Sequence, residues 1–363
     1  YFVRADAVAG EGDGTSFATA YTFAEAVERA QTPGDTILCK AGVYEIGATV
    51  ALAAPVNVLG GYAGTDSTTL DATGALTEFR AGEGVTVPVR VTADTAVADR
   101  NVFVRCAFTH GTEHGLVKTG KAGISFEKCR FACNGADDRN LPNGRGILLT
   151  GTSSSTASFV GCSFEGNAAA YAGVSGYASR GYGYGLNATT WKRVTFEDCL
   201  FATNGVAWNV PTGAFGTQDR FEGAAAYLNG APAHFRNCRF LANRTVERNT
   251  SDDCRGGIVY LAGNPGTTTF SNCLFVANWI SAGTDASGWP TMLDRSAVIA
   301  VDTSSSAASL GIDGCTFAYN CCDAKSGPCV LANNGAVKVR NSIFWGMVKS
   351  AATTGVTLFD ARG

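Results

Sequence analysis

Four acidic–basic pairs recur along the chain: Asp138-Arg139, Asp219-Arg220, Asp253-Cys-Arg255 and Asp294-Arg295. The planar fork of Arg pairs two-pronged with a carboxylate such as a uronate. Two carboxylates flanking one glycosidic bond can instead hydrolyse it by acid/base chemistry. An elimination also needs a base beside the proton next to the carboxyl group, and His114, Tyr260 and Lys118 are residue types suited to that task. The candidate catalytic residues are therefore Asp219, Asp253, Asp294, Arg255, Arg295 and His114. The plainer reading is a salt-bridged ladder of stacked Asp and Arg that ties loop bases to the body of the protein. Aromatic residues crowd the same stretches: Tyr171, Tyr177, Tyr182, Tyr184, Trp208, Phe215, Trp279 and Trp289. Exposed rings suit the C–H faces of sugars, which makes Tyr182, Tyr184, Trp208, Tyr260, Trp279 and Trp289 the candidate substrate-binding residues. The alternative is that these rings fold back as small apolar clusters beneath long loops.

Metal and cofactor chemistry has little support. There are three His (His110, His114, His234) and no C-x-x-C pair, so zinc is a poor reading. Asp252-Asp253 and Asp137-Asp138 carry the clustered oxygens that calcium takes, although adjacent Asp on a loop are more often solvated. No other cofactor is implied. Formal charge is −3, against a nucleic-acid partner, and no apolar run is long enough to span a membrane. The sequons at Asn187, Asn243 and Asn249 matter only in a glycosylating host.

The elements that must position these residues are written in a repeat. An apolar residue, two variable residues, Cys, one variable residue and Phe recur eight times, from Phe103-Val-Arg-Cys106-Ala-Phe108 to Val339-Arg-Asn-Ser342-Ile-Phe344, where Ser replaces Cys. Six copies run on as Phe-x-x-Asn, ending at Asn134, Asn167, Asn204, Asn243, Asn278 and Asn320. The residue before the Cys is Gly161, Asp198, Asn237, Asn272, Gly314 or Asn341 in six copies, types that accept positive φ and so mark a sharp bend between two short strands. Cys and Phe two apart share one face of a strand, and stacked strands put Cys over Cys and Phe over Phe. The ladder thiols are expected to be packed and unbridged. Cys39, Cys133, Cys254, Cys321, Cys322 and Cys329 are the better disulfide candidates, and Cys321 or Cys322 with Cys329 is the nearest pair.

A further strand precedes each Cys motif, as in Gly146-Ile-Leu-Leu, Gly223-Ala-Ala-Ala-Tyr227, Gly257-Ile-Val-Tyr260 and Ala297-Val-Ile-Ala300. Each coil then has three strands, and the long loops all leave one corner after the Asn. The spacing predicts an all-β, right-handed, single-stranded parallel β-helix of three parallel sheets and about ten coils. The chain is expected to form one solenoid over 1–363: N-terminal cap and first coil at 1–45, early coils at 46–100, ladder coils with long loops at 101–347, and a C-terminal coil or cap at 348–363.

These repeats resemble the right-handed parallel β-helix superfamily typified by pectate lyases. With Gly256-Gly257-Ile258-Val259, the Phe-x-x-Asn copies are also similar to repeats of chlamydial polymorphic outer-membrane proteins. At the N-terminus, Asp13-Gly14-Thr15-Ser16, Phe23-Ala-Glu-Ala-Val-Glu-Arg-Ala30, Gly34-Asp35-Thr36-Ile37 and Gly42-Val43-Tyr44 resemble surface proteins of gut Bacteroidetes, as do Gly60-Gly61-Tyr62 and Leu70-Asp71. That resemblance implies an amphipathic helix capping the open end of the solenoid. The matches cover nearly the whole chain, but no pectate-lyase or polygalacturonase signature falls on a matching rung, so no catalytic residue carries over.

The expectation is a secreted or bacterial cell-surface protein that recognises a polysaccharide or surface glycan along the loop-walled face. An export signal, if there is one, is expected to have been removed or to lie outside the sequence that starts at Tyr1. Cleavage, by a lyase ahead of a hydrolase, is the enzymatic version. A non-catalytic adhesin or structural surface protein is the rival, and a phage-type tail component a weaker third.

Overall fold

The computed structural model describes residues 1–96, 98–135, 145–169, 180–206, 218–249, 255–282, 295–303, 308–322, 329–347 and 359–362. One coil shows the construction. Arg145–Thr150 lies in the first sheet, Thr156–Val160 in the second and Ser163–Glu165 in the third. The equivalent strands of neighbouring coils pair parallel and in register, Phe126 with Phe159 with Phe196, and Phe131 with Phe164 with Phe201. The second sheet has eleven strands and the third ten. The chain is a right-handed parallel β-helix.

The bend before the Cys is more uniform than its residue types suggest. All eight positions have positive φ: 54° at Arg105, 53° at Lys128, and between 49° and 64° at Gly161, Asp198, Asn237, Asn272, Gly314 and Asn341. Arg and Lys take this conformation at a steric cost of roughly 1 kcal/mol each, which the stacked coils on either side must offset. A second column of positive φ precedes the Asn corner, at His110, Cys133, Gly166, Thr203, Ala242, Ala277 and Tyr319. Each ladder coil therefore turns twice through left-handed residues, on either side of a strand of three or four residues.

Inside, two columns of Phe stack along the axis. Successive ring centroids lie 5.0 Å apart from Phe126 to Phe159 and 4.4 Å from Phe240 to Phe275. Beside them the ladder thiols are buried and unbridged, each S–H from Cys129 to Cys315 reaching a Phe carbonyl one coil earlier, as in Cys199 to Phe159 O at 3.5 Å, while that of Cys106 reaches Val58 O. The Asn corner is tied more tightly. Asn204 Nδ2 donates to Asn243 Oδ1 at 3.0 Å and to Phe164 O at 2.8 Å, while its Oδ1 accepts from Asn167 Nδ2 at 2.9 Å and Asn167 N at 3.3 Å. Every polar atom of that buried amide is engaged, and the pattern repeats from Asn134 to Asn320.

The helix α1 (Phe23–Arg29) opens on a capping box: Glu25 N donates to Thr22 Oγ1, and Thr22 N to Glu25 Oε2 at 3.0 Å. It buries Phe23, Ala26 and Val27 on the first coils, with the Phe23 ring 4.3 Å from that of Phe79. The amphipathic cap expected at the N-terminal end is present. A feature not expected is a small parallel ladder beyond the Asn corner, running through Ala168–Ala169, Gly205–Val206, Arg244–Asn249, Trp279–Ala282 and Cys321–Cys322.

Candidate functional site

Strand register builds the outer face of the first sheet. Val117, Leu148, Asn187, Tyr227, Tyr260, Ala300 and Leu331 fall in one column, while the alternate residues Leu116, Ile147, Leu186, Val259, Ile299 and Val330 enter the core. Two residues further along lies a mostly polar column: Thr150, Thr189, Asn229, Ala262, Asp302 and Asn333. Tyr260, Ala297, Ala300 and Leu331 form an apolar cluster separate from the main core, with Tyr227 and Ala262 packed against it.

Three tyrosines follow one another along this face. The Tyr182 and Tyr227 rings are 5.0 Å apart and tilted by 54°, and the Tyr227 and Tyr260 rings are 5.8 Å apart and nearly parallel. Tyr260 is 1% exposed and donates its hydroxyl to Asp302 Oδ2 at 2.7 Å. Asn333 Nδ2 donates to the other carboxylate oxygen at 3.0 Å. Asn187 accepts from Thr189 Oγ1 at 3.3 Å and donates to Tyr182 O at 3.3 Å. Ring faces thus lie beside a row of amide, hydroxyl and carboxylate groups. Chemically, that combination pairs apolar C–H surface with hydroxyl partners.

At the start of the strands the environment is dry and cationic. His114 pairs in register with Arg145, and both are buried. Burial, with the charges of Arg145 and Arg90, holds the imidazole pKa down to about 3, and Nδ1 has no hydrogen-bond partner. An imidazole of that basicity is a poor proton acceptor near neutral pH. Arg145 Nε donates to Tyr182 O at 2.6 Å, and burial lowers its pKa too. Lys118 is fully buried, its ammonium donating to the carbonyls of Thr119 and Gly120, and burial draws its pKa to about 8. Its contacts tie a turn.

The remaining sequence candidates divide as follows. Tyr184 and Tyr260 are each 1% exposed, Tyr260 within the cluster on the outer face, while Tyr182 and Trp279 are half-buried. The Arg244 guanidinium lies 5.1 Å from the Trp279 ring centre, so one cation already stacks against that ring. Arg255 and Arg295 are neighbours by backbone register, as are Arg180 and Arg220, and Asp219 pairs antiparallel with Arg248. The side chains of Asp219, Arg255 and Arg295 lie outside the described residues. So do Asp253, Asp294, Trp208, Trp289 and the remaining members of the Asp/Arg, aromatic and Asp-Asp sets, Asp137, Asp138, Arg139, Tyr171, Tyr177, Phe215 and Asp252. Among the described residues no group of three or more His, Cys, Asp or Glu is arranged to hold a metal ion. Of the sequon residues, Asn243 is a buried ladder residue and Asn187 is 6% exposed. Among the off-ladder cysteines, Cys39 is a buried thiol, Cys133 an exposed one, and Cys329 Sγ lies 3.3 Å from Met347 Sδ.

Sequence reasoning missed Tyr227, Asp302, Asn333 and Arg145. The signal was present: aligning Gly223–Tyr227 with Gly257–Tyr260 puts Tyr227 over Tyr260, and Asp302 follows Ala300 by two. It needed cross-coil register, not local pattern.

Among the described residues no helix is long and apolar enough to cross a membrane. A scan against family models and a comparison with curated proteins give no match. Among solved structures the chain is similar to pectate lyase Pel9A (15% identity over 94% of this chain and 77% of that one, TM-score 0.49). It is similar also to an endo-xylogalacturonan hydrolase from Aspergillus tubingensis (10% identity, 98% and 95% covered, TM-score 0.39). A third is PfbA, a surface adhesin of Streptococcus pneumoniae (9% identity, 97% and 91% covered, TM-score 0.30). At these identities and TM-scores the likenesses carry no functional inference, and the architecture itself is the secure conclusion: a right-handed parallel β-helix.

Proposed function

We propose that this protein is a secreted or cell-surface polysaccharide-recognising β-helix that holds an extended glycan along the outer face of the first sheet. The observation that carries the reading is the half-buried pair Tyr182 and Tyr227 beside the half-buried Thr189, Asn229, Asp302 and Asn333, with the buried Tyr260 ring backing the pair. Strands about 4.8 Å apart repeat at close to the rise of a sugar unit, so successive coils meet successive residues of one chain. The half-buried Tyr182 and Tyr227 rings supply stacking, and the polar column supplies hydroxyl partners.

Catalysis is the finer form of this reading. Asp219, Asp253, Arg255, Asp294 and Arg295 are the residues proposed to carry it, with uronate neutralisation by Arg for a lyase or paired carboxylates for a hydrolase. The second reading is a non-catalytic adhesin. It is favoured by His114, whose depressed basicity suits packing better than proton abstraction.

Turnover on a panel of uronate-containing and neutral polysaccharides tests both, following unsaturated ends and reducing ends with and without calcium. Unsaturated products establish a lyase, and reducing ends alone establish a hydrolase. Silence with retained binding on a glycan array leaves the adhesin. Silence with no binding to any glycan overturns the proposal.

A further inference from the structure

The outer face of the third sheet, around the corner from the tyrosines, is uneven in a way that fits itself. Near the N-terminal end it is hollowed: Ala107 and Ala132 stand where neighbouring coils carry Glu78, Thr109, Arg130 and Glu165. The result is a hollow of about 490 Å³, with Val43 at its edge, 40% exposed. Near the C-terminal end the same face projects. Tyr319, Ile343 and Trp345 are 57%, 59% and 64% exposed, and Trp345 Nε1 donates to Tyr319 OH at 3.2 Å, which fixes the two rings as one unit. Between hollow and projection the outward residues Leu200, Leu241, Leu274 and Val276 are half-buried and apolar.

We propose that this face is the interface of a two-fold dimer, in which the Tyr319–Ile343–Trp345 projection of each copy enters the hollow of the other. The two features lie at opposite ends of one flat face, so an antiparallel two-fold axis through its middle joins them twice. That axis also brings Arg239, exposed amid the apolar strip, opposite the Glu165 carboxylate of the second copy, which Arg130 of its own chain already approaches at 3.4 Å. Ten strands at about 4.8 Å and a width of about 15 Å offer roughly 650 Å² per copy, close to the lower end of stable specific interfaces. Exposed apolar side chains gathered in one patch, with a matching recess, are the mark of a protein–protein contact. The tyrosine face remains free in such a dimer, so the inference stands independently of the glycan reading.

Sedimentation velocity of the whole chain over a range of micromolar concentrations tests the inference, with two variants at exposed positions that leave the core untouched. Wild type is expected to sediment as a dimer. Trp345→Asp on the projection and Val43→Arg at the hollow are each expected to weaken association at least about tenfold, as loss of an interface anchor does. Mixed together, the two variants are expected to dimerise again, because the mixed pair keeps one wild-type contact and faces Asp with Arg in the other. A monomeric wild type, a dimer indifferent to either substitution, or a mixture that stays monomeric overturns the arrangement.

Discussion

Tyr227 and Tyr260 lie ring over ring, 5.8 Å apart and within 2° of parallel, and the hydroxyl of Tyr260 is held by Asp302. The pair is thus fixed at one end by a carboxylate and leaves the half-buried Tyr227 ring as the more accessible member. Tyr227→Ala is expected to weaken glycan binding by about tenfold, the worth of one stacked ring, while Tyr227→Phe retains most of it. Isothermal titration with a ligand from the glycan array measures both, and equal affinities for Ala and wild type would remove this ring from the site.

The Asn corner should be far more sensitive to substitution than its modest side-chain size suggests. Asn204→Ala strips partners from Asn167 Nδ2, Asn167 N and Phe164 O at once, all buried. The expected loss is about 3 kcal/mol, since a buried group left without its partner costs roughly 1–3 kcal/mol. Asn204→Asp keeps the acceptors but forfeits the two donated bonds and places charge among carbonyl oxygens, so it should be worse still. Guanidinium unfolding of the two variants ranks them.

Thiol reactivity should separate the ladder from the surface. Burial drives the thiols of Cys129 and Cys162 upward, while hydrogen bonding along the ladder, with burial, pushes Cys273 up to about 12. Cys133 is exposed. At pH 8 a maleimide or iodoacetamide should modify the Cys133 peptide at least about a thousandfold faster than the Cys129, Cys162 or Cys273 peptides, because the thiolate is the reactive form. Peptide mapping in native buffer and in denaturant shows the difference.

How much of this was legible follows from where the information sits. The Cys-x-Phe-x-x-Asn repeat gives strand, bend and interior directly, because those residues face a core that is the same in every coil. Arg105 and Lys128 were not readable as left-handed bends, since neither type prefers that conformation and only their stacking in a column imposes it. The second bend was hidden for the same reason, being occupied by His, Cys, Gly, Thr, Ala and Tyr in different coils. The tyrosine run was hidden differently: its members are 45 and 33 residues apart and become neighbours only through register. Burial of Tyr184 and Tyr260 had no local sign either, because aromatic side chains read alike whether they face a ligand or a cluster.

His114 predicts a pH dependence of stability. Its pKa is about 3 in the folded protein against the ordinary 6.5 of an unfolded chain. Below pH 6.5 the unfolded state gains a proton that the native state refuses, so the stability is fully present above 6.5 and falls as pH drops toward 3. The slope approaches about 1.4 kcal/mol per pH unit. His114→Gln should flatten the fall in melting temperature between pH 6.5 and 4.5 relative to wild type. Parallel curves for the two proteins would show that His114 is solvated.

The Asn corner also bears on how such a chain can change over time. From Asn to Asn the repeat lengths run from 33 residues, Asn134 to Asn167, to 42, Asn278 to Asn320, and yet the amide bonds across the corner stay between 2.8 and 3.0 Å. The coil is closed before the excursion begins and resumes when the first-sheet strand returns. Insertions there cost little more than the slowly growing entropy of a longer loop. The corner therefore works as a splice point, at which segments of new length and composition can be exchanged between lineages, or by design, without renegotiating the stack beneath them.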